Sequence, residues 1–129
     1  MSTEPLENLE ELARRAVACK RWRWMPGMMA IMTEPHDGET TFRVLDYIGS
    51  RETGAPITMY PDLTDPATVG CLLALVREAW KKPHAYPMAN SIGEWIIQQF
   101  DEEDGIWRPL SKCFKTEAEA LVAALEAAP

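Results

Sequence analysis

The chain has 129 residues, 47% of them hydrophobic and 26% charged, which fits a single folded domain over 1–129 and excludes wholesale disorder. Its 13 Lys and Arg against 20 Asp and Glu leave a net charge of -7, the wrong overall sign for holding a nucleic-acid backbone. No run of about 18 apolar residues occurs, so no membrane-spanning helix is expected.

Leu6, Leu9, Leu12, Ala13, Ala16 and Val17 recur at helical spacing and predict an amphipathic helix over 3–19, with Thr3 as cap and Pro5 in its first turn. Its early Glu4, Glu7, Glu10 and Glu11 and late Arg14, Arg15 and Lys20 complement the helix dipole. Trp22 and Trp24 then alternate with Arg21 and Arg23 at a strand-like period of two. Pro26-Gly27 breaks that run, 28–32 reads as extended, and the turn chemistry of 34–38 leads into a returning strand over 41–48. The segment 50–61 reads as a loop around a short strand at 57–60.

Asp65 followed by Pro66 is a favoured helix start, and the helix it opens ends at Lys81-Lys82-Pro83. Val69, Leu72, Leu73, Val76 and Trp80 make its expected buried face, and Cys71, Ala74 and Leu75 extend the apolar surface around it. A second loop is predicted over 84–93, then a strand over 94–100, a tight acidic turn over 101–105 and a partner strand over 106–114. Pro109 inside that last run marks an edge strand or a bulge. Thr116 with Glu119 forms the capping box of a final helix that buries Leu121, Val122 and Leu125. The order α-ββ-α-ββ-α predicts an α+β fold, an antiparallel four-stranded sheet with three helices packed on it.

Chemistry-bearing motifs are sparse. His36 and His84 are the 2 histidines, both in predicted loops, and no Gly-x-Ser-x-Gly, His-Glu-x-x-His or phosphate-loop pattern accompanies them. Cys19, Cys71 and Cys113 lack the CxxC spacing of a zinc or thioredoxin-type site. The N-terminal stretch 1–5 has no basic flank and apolar core of an export signal, so three reduced thiols in a cytoplasm are expected, with Cys71 packed in a core. Asp101, Glu102, Glu103 and Asp104 are too closely spaced to wrap a calcium ion, so no metal or cofactor is expected; they remain an electrostatic contact for a basic partner. Gly49, Ser50, Arg51 and Gly54 have the residue types of an anion-binding loop, without a helix directly after them to lend its amides. Arg21, Trp22, Arg23 and Trp24 interleave cations with aromatic rings. Such a run either holds a nucleic-acid strand by charge and stacking or sends its tryptophans into the core and its arginines to solvent, and a tryptophan left exposed would anchor an interface.

Residues 22–28, 61–68, 70–73 and 77–80, together with the ending 116–121, resemble small proteins encoded by phages and prophages. The element order is similar to that of the phage ABA sandwich proteins, in which helices cover both faces of a sheet. The resemblance implies a phage or prophage origin and carries no catalytic residues with it. Small acidic phage proteins of this kind include inhibitors of bacterial defence, as anti-CRISPR proteins are. The leading expectation is therefore a non-enzymatic protein that binds a host protein, as a counter-defence inhibitor or as a homo-oligomer, through Arg21–Trp24 and Asp101–Asp104. A nucleotide-sequestering protein using the loop 49–54, and a small hydrolase or transferase using His36 or His84, are the alternatives.

Overall fold

The computed structural model describes residues 6–34, 38–44 and 58–129. In chain order these form α1 (Leu6–Val17), β1 (Met29–Glu34), β2 (Gly38–Arg43), β3 (Thr58–Pro61), α2 (Pro66–Trp80), β4 (Tyr86–Ala89), β5 (Trp95–Asp101), β6 (Ile106–Pro109) and α3 (Glu117–Ala127). The α+β class holds, but the single four-stranded sheet does not. The described strands make two antiparallel three-stranded sheets, ordered β2-β1-β3 and β4-β5-β6. Each predicted hairpin gains a third strand: β3 pairs with β1 through Ile31 opposite Tyr60, and β4 pairs with β5 through Pro87 opposite Ile97. The loop expected over 84–93 thus contains a strand. The strand expected over 106–114 is only four residues long, followed by an isolated bridge between Trp95 and Phe114. Arg21 to Trp24 form no strand.

The chain divides into two compact units after Ala18, Trp22 and Cys71, so that 19–22 join the unit formed by 72–129. In the first unit α1 packs on β3 and buries Leu12, Ala13 and Ala16. Met28, Ala30, Val44, Tyr60 and Leu63 complete that core. The start of α2 is tied to β1 through one side chain. Thr68 is wholly buried; its Oγ1 accepts the Met29 amide at 2.8 Å and donates to Asp65 Oδ2 at 2.9 Å. Asp65 also accepts the Thr68 amide at 2.9 Å, as an N-cap does, and the Arg43 guanidinium at 2.7 Å. The Arg43 hydrogen bond, helped by Thr68, holds the Asp65 carboxyl below its ordinary range. A lowered folded value means that this stabilisation is complete above the ordinary carboxylate range and is lost as pH falls through the folded value. Asp65→Asn keeps a capping side chain, and its acid unfolding curve is expected to be flatter than the wild type's.

In the second unit α3 lies against β5 and β4, with Ala120, Leu121, Val122 and Ala124 wholly buried. Its capping box is complete: Thr116 Oγ1 accepts the Glu119 amide at 3.1 Å, and Glu119 Oε1 accepts the Thr116 amide at 3.1 Å. Trp80 Nε1 donates to the Ala124 carbonyl at 2.8 Å, joining the end of α2 to α3. The most buried line of α2 runs through Thr68, Leu72, Leu75, Val76 and Ala79, while Val69, Leu73 and Trp80 are half-buried. Leu72 and Val76 of the expected face, and Leu75 from the apolar surface expected beside it, are thus wholly buried.

The helix ends in a left-handed residue, Lys81, at φ 57°. The Lys82 amide donates to the Arg77 carbonyl at 2.9 Å and the Lys81 amide to that of Glu78 at 3.2 Å, the pattern usually closed by glycine. Lys81→Gly relieves the Cβ strain and is expected to raise stability by about 0.5–1 kcal/mol, read as a higher denaturation midpoint at constant slope.

Candidate functional site

The central strand of the second sheet is apolar on both faces. Side chains alternate along β5, so Trp95, Ile97, Gln99 and Asp101 share one face while Ile96, Gln98 and Phe100 share the other. Ile97 is wholly buried on the first of these. The second face is only partly covered by the described residues: Ile96 and Gln98 are half-buried and Phe100 is exposed. Register places Tyr86 and Pro109 beside Gln98, Met88 beside Ile96 and Trp107 beside Phe100, so all project from this face. Met88, Phe100 and Trp107 are 37%, 38% and 43% exposed, which large apolar side chains rarely are when clustered.

The cluster is organised. The Trp107 ring lies 5.0 Å from that of Phe100 and 5.3 Å from that of Tyr86, the latter edge-on at 82°. Edge-on and tilted contacts at these distances are the geometries that aromatic pairs favour. Gln98 Nε2 reaches Met88 Sδ at 3.2 Å on the same face. At one end of the sheet the turn after β4 holds out Ile92, which is 76% exposed. Asn90 Oδ1 fastens that turn by accepting the amides of Ile92 at 3.0 Å and Glu94 at 2.9 Å.

The acidic turn lies at the other end, directly beyond Phe100 and Trp107. Its charge is less than its four carboxylates imply. Arg108 Nε donates to Asp101 Oδ2 at 3.0 Å, and Arg108 also pairs with Asp104. The Arg108 hydrogen bond holds Asp101 below the ordinary carboxylate range, and Asp101 and Asp104 raise Arg108 in turn. Glu102 and Glu103 stay exposed, with no side-chain ion pair among the described residues. They border a shallow cleft of about 450 Å³ also lined by Lys82, His84 and Gln99.

The other expected residues fall elsewhere. Arg21 and Trp22 belong to the second unit, Arg23 and Trp24 to the first. Both arginines are exposed and both tryptophans half-buried, so the expected alternation of exposure exists without a strand. Arg21 Nη2 is held by the Pro129 carbonyl at 2.8 Å. Gly49, Ser50, Arg51, Gly54 and His36 lie outside the described residues. His84 is exposed. Cys71 is half-buried rather than packed in a core, its thiol pushed up by that burial, and the three cysteines form no disulfide. Among the described residues no three His, Cys, Asp or Glu side chains converge as metal ligands, and no helix is long and apolar enough to cross a membrane.

The first unit holds a smaller cavity of about 210 Å³, lined among others by Ile31, Glu39, Tyr60 and Leu63. Tyr60 Oη donates to Glu39 Oε2 at 3.2 Å, and the Arg14 guanidinium sits 5.5 Å from the ring centre. Burial, then the nearby Glu10 and Glu39 charges, push the Tyr60 phenol up to about 12. A raised folded value contributes stability that is complete below the ordinary tyrosine range, near pH 10, and is lost as pH rises through about 12. Tyr60→Phe is expected to flatten the alkaline end of the stability profile, checked by denaturation between those pH values.

No family model, curated protein or solved structure matches the chain. The site therefore rests on its own geometry. Sequence reasoning placed a turn at the acidic residues 101–105, and singled out none of Tyr86, Met88, Ile96 and Trp107. The available signal was β5 itself, where Trp95 and Ile97 alternate with Ile96 and Phe100, an apolar pattern on both faces that one covering helix cannot bury.

Proposed function

We propose that the protein works by binding another protein, and that the Phe100 face of the β4-β5-β6 sheet is its docking surface. The observation that carries this is the stacked cluster of half-buried Tyr86 with exposed Phe100 and Trp107, beside exposed Met88. Rigid aromatic side chains lose little entropy on contact and dominate the energetics of interfaces. The net charge of -7 and the adjacent acidic turn favour a partner with a basic surface, and disfavour a nucleic-acid ligand. The resemblance to phage and prophage proteins makes a bacterial host protein the partner class, with inhibition of a nucleic-acid-handling defence component as the specific role. In that role carboxylates would occupy a surface built for phosphates.

The test is affinity purification of the tagged chain from bacterial cells, beside a Phe100→Ser/Trp107→Ser variant with an unchanged circular dichroism spectrum. A host protein recovered with the wild type and reduced about 30-fold or more with the variant is expected, as for loss of a hot spot of about 2 kcal/mol. Equal recovery with both chains, or recovery with neither, refutes the proposal.

A further inference from the structure

Resting on that reading of the Phe100 face, we infer that its occupant is an amphipathic helix carrying Lys or Arg at one end of its apolar stripe, and not an added strand. The edges of the sheet argue against strand addition. The Asn90 amide donates inward to the Glu94 carbonyl, so by alternation Tyr86 and Met88 turn their backbone groups toward β5 while Pro87 turns outward. On the other edge the Leu110 amide donates to the Ile97 carbonyl, so Arg108 faces β5 and Pro109 faces outward. Both edges therefore present a proline where an incoming strand needs an amide donor.

The face itself suits a helix. Its apolar side chains come from all three strands, Met88, Ile96, Phe100 and Trp107 among them, and α3 already occupies the opposite face in this manner. Charge complementarity selects the basic end. Glu102 and Glu103 make no ion pair among the described residues and border the cleft that Phe100 and Lys82 also line, while Arg108 is engaged by Asp101 and Asp104. A second copy of the chain brings the same acidic turn and another -7 of net charge, which opposes face-to-face pairing.

The experiment pans a displayed random-peptide library against the full chain and the Phe100→Ser/Trp107→Ser variant, then titrates a synthetic peptide of the enriched sequence. Enriched peptides are expected to carry apolar residues at i, i+3, i+4 and i+7 with clustered cations at one end. Their affinity is expected to fall about tenfold or more in Glu102→Lys plus Glu103→Lys, a change confined to an exposed turn. Enrichment of alternating, strand-like or uncharged peptides that still need Phe100 and Trp107 overturns the helix inference and leaves the docking face standing. So does self-association, or capture of a single-stranded oligonucleotide, that depends on those two residues. Peptide binding that survives the Phe100→Ser/Trp107→Ser change, or no enrichment at all, overturns the docking face and the inference with it.

Discussion

Ile97→Ala is expected to cost about 2–5 kcal/mol of stability, the range for deleting a fully buried aliphatic side chain. Ile97 lies in the central strand of its sheet, is wholly buried and shares a sheet with α3 packed against it. Phe100, three residues further along the same strand, projects from the opposite face and is 38% exposed. Phe100→Ser is expected to cost only about 1 kcal/mol, since it loses chiefly its contact with Trp107. Urea denaturation of the two variants at an unchanged slope measures the contrast. A Phe100→Ser cost equal to that of Ile97→Ala would mean that this face is a core, not a docking surface.

Thr68→Val is expected to cost about 1–3 kcal/mol, although valine matches threonine in shape and gains apolar surface. The hydroxyl of Thr68 accepts the Met29 amide and donates to Asp65, so its removal leaves a backbone donor and a capping carboxylate each short of a partner. Thr68→Ser keeps both hydrogen bonds and is expected to lose about 1 kcal/mol or less, reflecting one methyl group. Comparing the denaturation midpoints separates hydrogen bonding from packing. If Val were as stable as wild type and Ser the worse of the two, the junction between β1 and α2 would rest on packing alone.

The parts legible in the sequence are those set by local chemistry. Asp65-Pro66 starts α2 and Thr116 with Glu119 starts α3, because a cap acts within one turn of its own helix. The acidic turn and the edge position of Pro109 are local in the same sense. Pairings between distant segments were not legible. β1 meets β3 across residues 35–57, and no residue pattern within either strand names the other as its neighbour. β4 was hidden by Pro87, whose missing amide normally argues against a strand and is tolerated here because it faces the free edge. With β4 unseen, Tyr86 and Met88 had no face to belong to, and Trp107 lacked the second ring that makes it part of a cluster. The compensation of Asp101 and Asp104 by Arg108 also needs the hairpin, since it is the turn that brings Arg108 back to both carboxylates.

The decisive measurement is hydroxyl-radical footprinting of the full chain, alone and in complex with whatever protein affinity purification recovers with it. Docking through the β4-β5-β6 face requires that Met88, Phe100 and Trp107 be labelled in the isolated chain and protected together in the complex. Unchanged labelling at these three residues, with protection confined to Arg21–Trp24 or to the first unit, would contradict it.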